Sequence, residues 1–185
     1  MLNNYLVEHL KVLKSLKKLE PVIKKAIKVS VDSLKKEGKL IFAGNGGSAA
    51  DAQHLASEFV GRFVNDRKPI SALALTTDSS ALTSIANDYN FEHVFSRQII
   101  ALGLTKDVFF CISTSGNSKN LISAAKAAKS RGIFIIGLLG RDGGLLKSMC
   151  DLSIIVDSVN TANIQEAHIF IGHVMCSEIE ARLSD

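Results

Sequence analysis

Lys39-Leu40-Ile41-Phe42-Ala43-Gly44-Asn45-Gly46-Gly47-Ser48-Ala49-Ala50-Asp51-Ala52-Gln53-His54 is the stretch whose reading decides the fold. Residues 39 to 43 form a short run, apolar after its lysine and followed at once by glycines, which is how a buried parallel strand reads. A helix is expected to open at about Ala49. The Gly44 to Ser48 turn between them points free backbone N–H groups at a helix N-terminus, and this makes a ready anion site.

The same unit recurs along the chain. Apolar runs at Ser71 to Leu75, Val108 to Ser113, Phe134 to Leu139 and Leu152 to Val156 alternate with segments of helical character. Five strands with intervening helices predict a doubly wound α/β sandwich, and 185 residues predict one domain spanning 1–185. Upstream, apolar residues recur three or four apart from Leu2 through Leu6, Leu10, Leu13 and Leu16, and Pro21 is placed to start a second helix. Residues 1–37 are therefore read as N-terminal helices, the second stopping at Gly38. At the other end Ile164 to Leu183 reads as one long helix, apolar on more than one side. Generous apolar faces on both end helices predict a homo-oligomer.

Charge and composition narrow the classes of function. The net charge of +4 is uneven, because residues 1 to 39 hold ten lysines against four acids. Those lysines alternate with apolar residues at helical spacing and lack interleaved aromatics, so they read as a solvated helix face and not as a nucleic-acid platform. No run of about 18 apolar residues occurs, and Met1-Leu2-Asn3-Asn4 lacks the basic start of a signal peptide, so a cytoplasmic protein without a membrane partner is expected. Cys111, Cys150 and Cys176 are far apart in sequence and in apolar surroundings, and they read as reduced core residues.

A second loop, Ser113-Thr114-Ser115-Gly116-Asn117-Ser118, lies between an apolar strand and a helix read over Leu121 to Lys129. An ordinary helix cap needs one hydroxyl, and this loop has four. Hydroxyls with backbone donors suit a phosphate dianion, and two such loops at strand ends point to the crevice where α/β proteins bind ligands. The first loop, read as Gly44-x-Gly46-x-x-Ala49, also fits a dinucleotide fingerprint. That reading needs an acid at the end of the second strand. Asp66 precedes the strand and Asp78 comes too late, so a terminal phosphate is preferred.

Downstream of the first loop His54 and Glu58 are four apart and share a helix face. Gln165 and His173, eight apart, are separated by about 80° around a helix, so both can face one cleft. These four can meet on one ligand or metal, and the plain alternative keeps His54 and Glu58 as an exposed polar pair.

Residues 44 to 54, with the second loop and Ile164-Gln165-Glu166-Ala167-His168, closely resemble the phosphoheptose isomerases of the SIS (sugar isomerase) family over essentially the whole chain. The resemblance implies a five-stranded parallel sheet between helices, a flavodoxin-like three-layer sandwich with long N- and C-terminal helices, assembled as a homotetramer with active sites between subunits. It implies interconversion of sedoheptulose 7-phosphate and D-glycero-D-manno-heptose 7-phosphate, an early step toward nucleotide-activated heptose for lipopolysaccharide, capsule or another surface glycan. By motif match, Asn45, Gly46, Gly47, Glu58, Asn87, Asp88, Ser113, Thr114, Ser115, Ser118 and Gln165 would contact substrate, and Glu58 and His173 would be the acid/base pair. One zinc per subunit would be held by His54, Glu58, Gln165 and His173. A carboxylate on zinc is a weaker base than a free one, so the two roles of Glu58 are in tension. Ala162 stands where some relatives carry an acid, and Asn163 where many carry Arg.

Two rival readings share these loops. Non-catalytic binding proteins of the same fold, such as the bacterial replication-initiator-associating protein, lack the acid and histidine that match Glu58 and His173. Isomerisation of a shorter sugar phosphate is separated only by pocket length, so the heptose assignment rests on the resemblance.

Overall fold

The computed structural model describes residues 1 to 184 of the chain. Among them, five parallel strands form one sheet in the order β2-β1-β3-β4-β5: β1 (Leu40–Gly44), β2 (Ala72–Ala74), β3 (Val108–Ser113), β4 (Phe134–Gly140) and β5 (Leu152–Val156). The expected five-stranded α/β sandwich is present. This flavodoxin-like order reverses between β1 and β3, and the crevice at such a switch point is where doubly wound folds bind ligands. The two strands are in register from Leu40 opposite Val108 to Gly44 opposite Ile112. Both Gly/Ser loops leave from their carboxyl ends and therefore lie side by side.

Strand residues alternate between two cores, as period-2 geometry requires. Phe42, Phe110, Ile112, Ile136 and Leu138 face α2 (Glu20–Lys35), α3 (Gly47–Val60) and α7 (Thr161–Ser184). Ile41, Ala43, Phe109, Cys111, Ile135 and Leu139 face α5 (Ser96–Leu102) and α6 (Lys119–Ser130), beside α4 (Ser79–Asp88). Ahead of these, α1 (Leu2–Ser15) ends in a 3-10 turn over Leu16–Leu19, after which Pro21 opens α2 as expected. None of the described helices is long and apolar enough to cross a membrane.

Several boundaries differ from the sequence reading for local reasons. Helix α2 ends at Lys35, and Glu37 takes the left-handed position (φ 59°), with Gly38 N–H returning to Ser33 O at 2.9 Å. Helix α3 opens at Gly47 and not at Ala49, because Gly46 (φ 55°) makes the turn. Cys111 and Cys176 are buried as expected, but Cys150 is half-buried and its Sγ lies 3.5 Å from Cys111 Sγ. The hydrogen bond between the two thiols pushes Cys111 up, burial adding to it, and holds Cys150 below the ordinary thiol range. Gly137, opposite Cys111 on β4, makes room for this approach, since a Cβ there would lie 2.9 Å from Cys150 Sγ.

Candidate active site

The first loop is built to leave its amides open. Gly46 is the N-cap of α3, and it has no side chain with which to cap the helix. Ser48 N–H bonds back to Asn45 O and Ala49 N–H to Gly46 O, both at 3.0 Å, which fixes a tight turn over an exposed helix N-terminus. The fixed partial positive charge there favours an anion.

The second loop is held by its own hydroxyls. Ser113 Oγ accepts from Gly116 N–H at 3.1 Å and lies 3.3 Å from Ser118 Oγ, while Ser115 Oγ accepts from Asn117 N–H at 3.2 Å. Ser118 is the N-cap of α6 but makes no capping bond, so the simple cap reading fails at this position. Gly116 (φ 65°) passes so close to Gly143 that a Cβ would overlap the Gly143 carbonyl. Leu146 N–H to Gly116 O and Leu145 N–H to Asn117 Oδ1, both 3.0 Å, brace the loop from outside.

The loops are tied together by a residue that sequence reading missed. Asn45 and Asn120 exchange two amide hydrogen bonds, of 2.9 and 2.8 Å, across 75 positions. Asn120 is buried at the start of α6 and looks in sequence like one more helix residue. Only the pairing of β1 with β3 brings its partner within reach.

Neither acid considered for a dinucleotide ribose serves that purpose. Asp78 caps α4 through Ala81 N–H, and Asp66 is exposed in the connection to β2.

Next to the loops, α3 and α7 bring together residues far apart in sequence. His54 Nε2 lies 2.9 Å from His173 Nε2 and 3.5 Å from Glu58 Oε1. Among the described residues, His54, Glu58 and His173 form a group whose ligand atoms all lie within 4.8 Å of one another. His54 remains exposed and Glu58 is half-buried, so the two form a partly open polar pair that also meets His173. Close approach of the helices depends on Gly172, where a Cβ would come within 2.5 Å of Leu55. Phe63 stacks on His173 with ring centroids 5.5 Å apart.

The donor set suits a divalent metal. Ligands bound to a tetrahedral zinc lie about 3.3 Å apart, which the 2.9 and 3.5 Å separations bracket. One turn before His54, Asp51 keeps Oδ2 buried with no hydrogen-bond partner. Burial pushes its carboxyl up to about 6, with His54 nearby pulling it down.

The remaining sequence-predicted residues are distributed unevenly. Gln165, half-buried on α7, packs its amide over Gly47, so it borders the first loop. Ser113 is buried, whereas Thr114, Ser115 and Ser118 are partly open. Asn87 and Asp88 lie exposed on the last turn of α4, where the Asn87 amide donates to Asp88 at 2.9 Å. Ala162 is exposed at the start of α7 and Asn163 is buried beside it. His168, fully buried, bonds to Leu139 O at 3.0 Å and faces the sheet.

Comparison with known proteins identifies the family of the chain and of its fold. The SIS domain family matches residues 4–140. The chain is 49% identical over 177 residues to the phosphoheptose isomerase of Helicobacter hepaticus, covering 96% of this chain and 90% of that protein. Its fold superposes on the phosphoheptose isomerase of Neisseria gonorrhoeae with a TM-score of 0.92 at 44% identity, over 97% of both chains. A phosphoheptose isomerase from Francisella tularensis gives 0.94 at 36% identity, over 97% of this chain and 96% of that one.

Proposed function

The chain belongs to the SIS domain family and, within it, to the phosphoheptose isomerases, and from that premise we propose that it interconverts sedoheptulose 7-phosphate and D-glycero-D-manno-heptose 7-phosphate. The observation that carries the reading is the meeting of Glu58 and His173 beside two phosphate-type loops. A sugar-phosphate sensor has no chemical use for a carboxylate and an imidazole brought together across 115 positions. An aldose–ketose isomerase needs both.

In this reading Asn45, Gly46, Gly47, Ser113, Thr114, Ser115 and Ser118 hold the 7-phosphate at the switch point. The sugar then extends toward α3 and α7, past Gln165. Glu58 takes a proton from C1 of the ketose and returns it to C2, while His173 moves a proton between the O1 and O2 oxygens. The double-bonded intermediate is an enediol or enediolate, and fixed positions of both groups lower its cost. Zinc held by His54, Glu58, Gln165 and His173 would supply positive charge beside those oxygens. Because Glu58 is asked both to hold the metal and to move a proton, it is the residue whose two roles compete.

Assembly as a homotetramer belongs to the same proposal. Leu2, Tyr5, Leu6, Val7 and Leu10 on α1 and Phe170 and Val174 on α7 are exposed apolar residues. A groove of about 400 Å³ runs beside Phe170 and Val174, lined also by Leu13, Leu16, Ile23, Ile27 and Ile171. A second copy seated there buries this surface, and the exposed Asn87 and Asp88 become available to a neighbouring subunit's site. A cytoplasmic supply of heptose for surface glycans completes the reading.

The test is an isomerase assay with sedoheptulose 7-phosphate and with a hexose phosphate. Conversion of the heptose is expected, and binding without turnover would support the sensor instead. Exhaustive chelation should abolish the rate and added zinc restore it. An unchanged rate would remove zinc from the reading.

A further inference from the structure

A buried ion pair lies just behind the cluster. Glu180 is 1% exposed on α7, two turns beyond His173. Its Oε1 accepts from Asn65 N–H at 2.9 Å, Asn65 Nδ2 at 3.1 Å and Val64 N–H at 3.3 Å. Its Oε2 accepts from Arg67 Nε at 2.9 Å and Phe63 N–H at 3.3 Å. Burial pushes the carboxyl up, and the bonds from Asn65, Phe63, Arg67 and Val64 more than offset this, holding it below the usual range.

Arg67 spends its remaining donors on the end of α3. Nη2 donates to Glu58 O at 2.8 Å, and Nη1 to Phe59 O at 2.8 Å, Gly61 O at 3.0 Å and Lys68 O at 3.1 Å. The last carbonyls of a helix lack internal partners, and a guanidinium fork can grip several of them at once. One charged pair therefore grips the main chain of Glu58, the helix that carries His173, and the segment that lays Phe63 on the His173 ring.

Such a pair is a poor device for stability alone. Desolvating two charges costs several kcal/mol per ion, and apolar replacements are often as stable. What the pair supplies is a fixed distance between two elements.

We propose that Arg67 and Glu180 are positioning residues that set the Glu58–His173 geometry, acting on proton transfer and metal affinity without touching substrate. The proposal rests on the isomerase reading for its kinetic part. Its metal part stands separately, because partners behind metal ligands typically change affinity by about 10- to 100-fold.

The experiment uses the full-length double variant Arg67→Met/Glu180→Gln. Both charges leave together, so no unpaired charge is buried, and the amide oxygen replacing the carboxylate still accepts from the 63–65 backbone. Circular dichroism and the thermal midpoint establish that the variant is folded; if it is not, Arg67→Lys, which keeps the charge but loses the fork, takes its place. The expected result is kcat lowered by about tenfold or more, KM within about twofold, and zinc affinity, measured by competition with a chromophoric chelator, lowered by about tenfold or more. A folded variant with wild-type kcat and wild-type zinc affinity overturns the proposal. Failure of the isomerase reading looks different, because the unmodified protein is then itself inactive while the zinc titration still reports on the clamp.

Discussion

The two ends of the site are built on opposite principles. At the end proposed to hold the phosphate each loop is contiguous in sequence and sits at the end of a strand buried on both faces, the first turned by Gly46 and its backbone bonds, the second braced by its own hydroxyls. At the α3/α7 end nothing is contiguous: His54 and His173 meet across 119 positions, held by helix packing at Gly172 and by the Arg67–Glu180 pair. Binding a dianion needs only donors pointing one way, which a short loop can arrange. Moving a proton needs a base and an acid on either side of one bond, and here two separate elements, α3 and α7, bring the carboxylate and the imidazole together.

This contrast predicts that damage at one end changes kcat and damage at the other changes KM. The largest effect belongs to Glu58→Gln, which should lower kcat by about 10²- to 10⁴-fold with little change in KM, because a neutral amide cannot take the proton. Full activity in that variant would end the mechanism. Next comes Gly172→Val, whose branched side chain would force α7 from Leu55 and carry His173 away from Glu58. Displacement of about 1 Å can cost about 10²-fold, so kcat should fall roughly 10- to 100-fold in a folded protein. A KM effect without a kcat effect would erase the division between the two ends.

At the phosphate end, Gly116→Ala places a Cβ on the Gly143 carbonyl at φ 65°. Strain of this kind costs about 1–3 kcal/mol, and read through substrate binding it should raise KM by about tenfold while kcat changes less. Isothermal titration with inorganic phosphate checks the same change without turnover.

The smallest effect on turnover is at His168, which leaves activity at neutral pH alone and concerns the anchoring of α7. Burial pushes His168 down to about 4, although its hydrogen bond to Leu139 raises it. The folded value lies below the ordinary His value of about 6.5. Its contribution is therefore fully present above about pH 6.5 and is lost as pH falls through about 4, a change of about 3 kcal/mol. Asp51, raised to about 6, runs the other way over part of that window, but it is only half-buried and its effect is screened. Thermal midpoints at pH 7 and 4.5 should fall further in the wild type than in His168→Gln. Equal falls would mean that His168 does not report on α7.

The sequence was sufficient wherever the chemistry is local. Apolar runs bounded by glycine predict the strands because a strand buried on both faces has no polar alternation to display. Pro21 marks the start of α2, and hydroxyls in excess of one cap mark the second loop. Helical spacing also singled out His54, Glu58, Gln165 and His173 as groups that can share a cleft, yet spacing leaves open whether two helices meet. The tertiary structure decided that for three of them: packing at Gly172 closes the gap between α3 and α7, and Gln165 lies against Gly47. It also decided the Asn45–Asn120 bridge, the Cys111–Cys150 approach and the Arg67–Glu180 clamp. Each joins residues whose own neighbourhoods are unremarkable, so a local pattern carries no trace of them. Periodicity records which face of an element is buried, whereas the partner across the gap is fixed only when the elements pack.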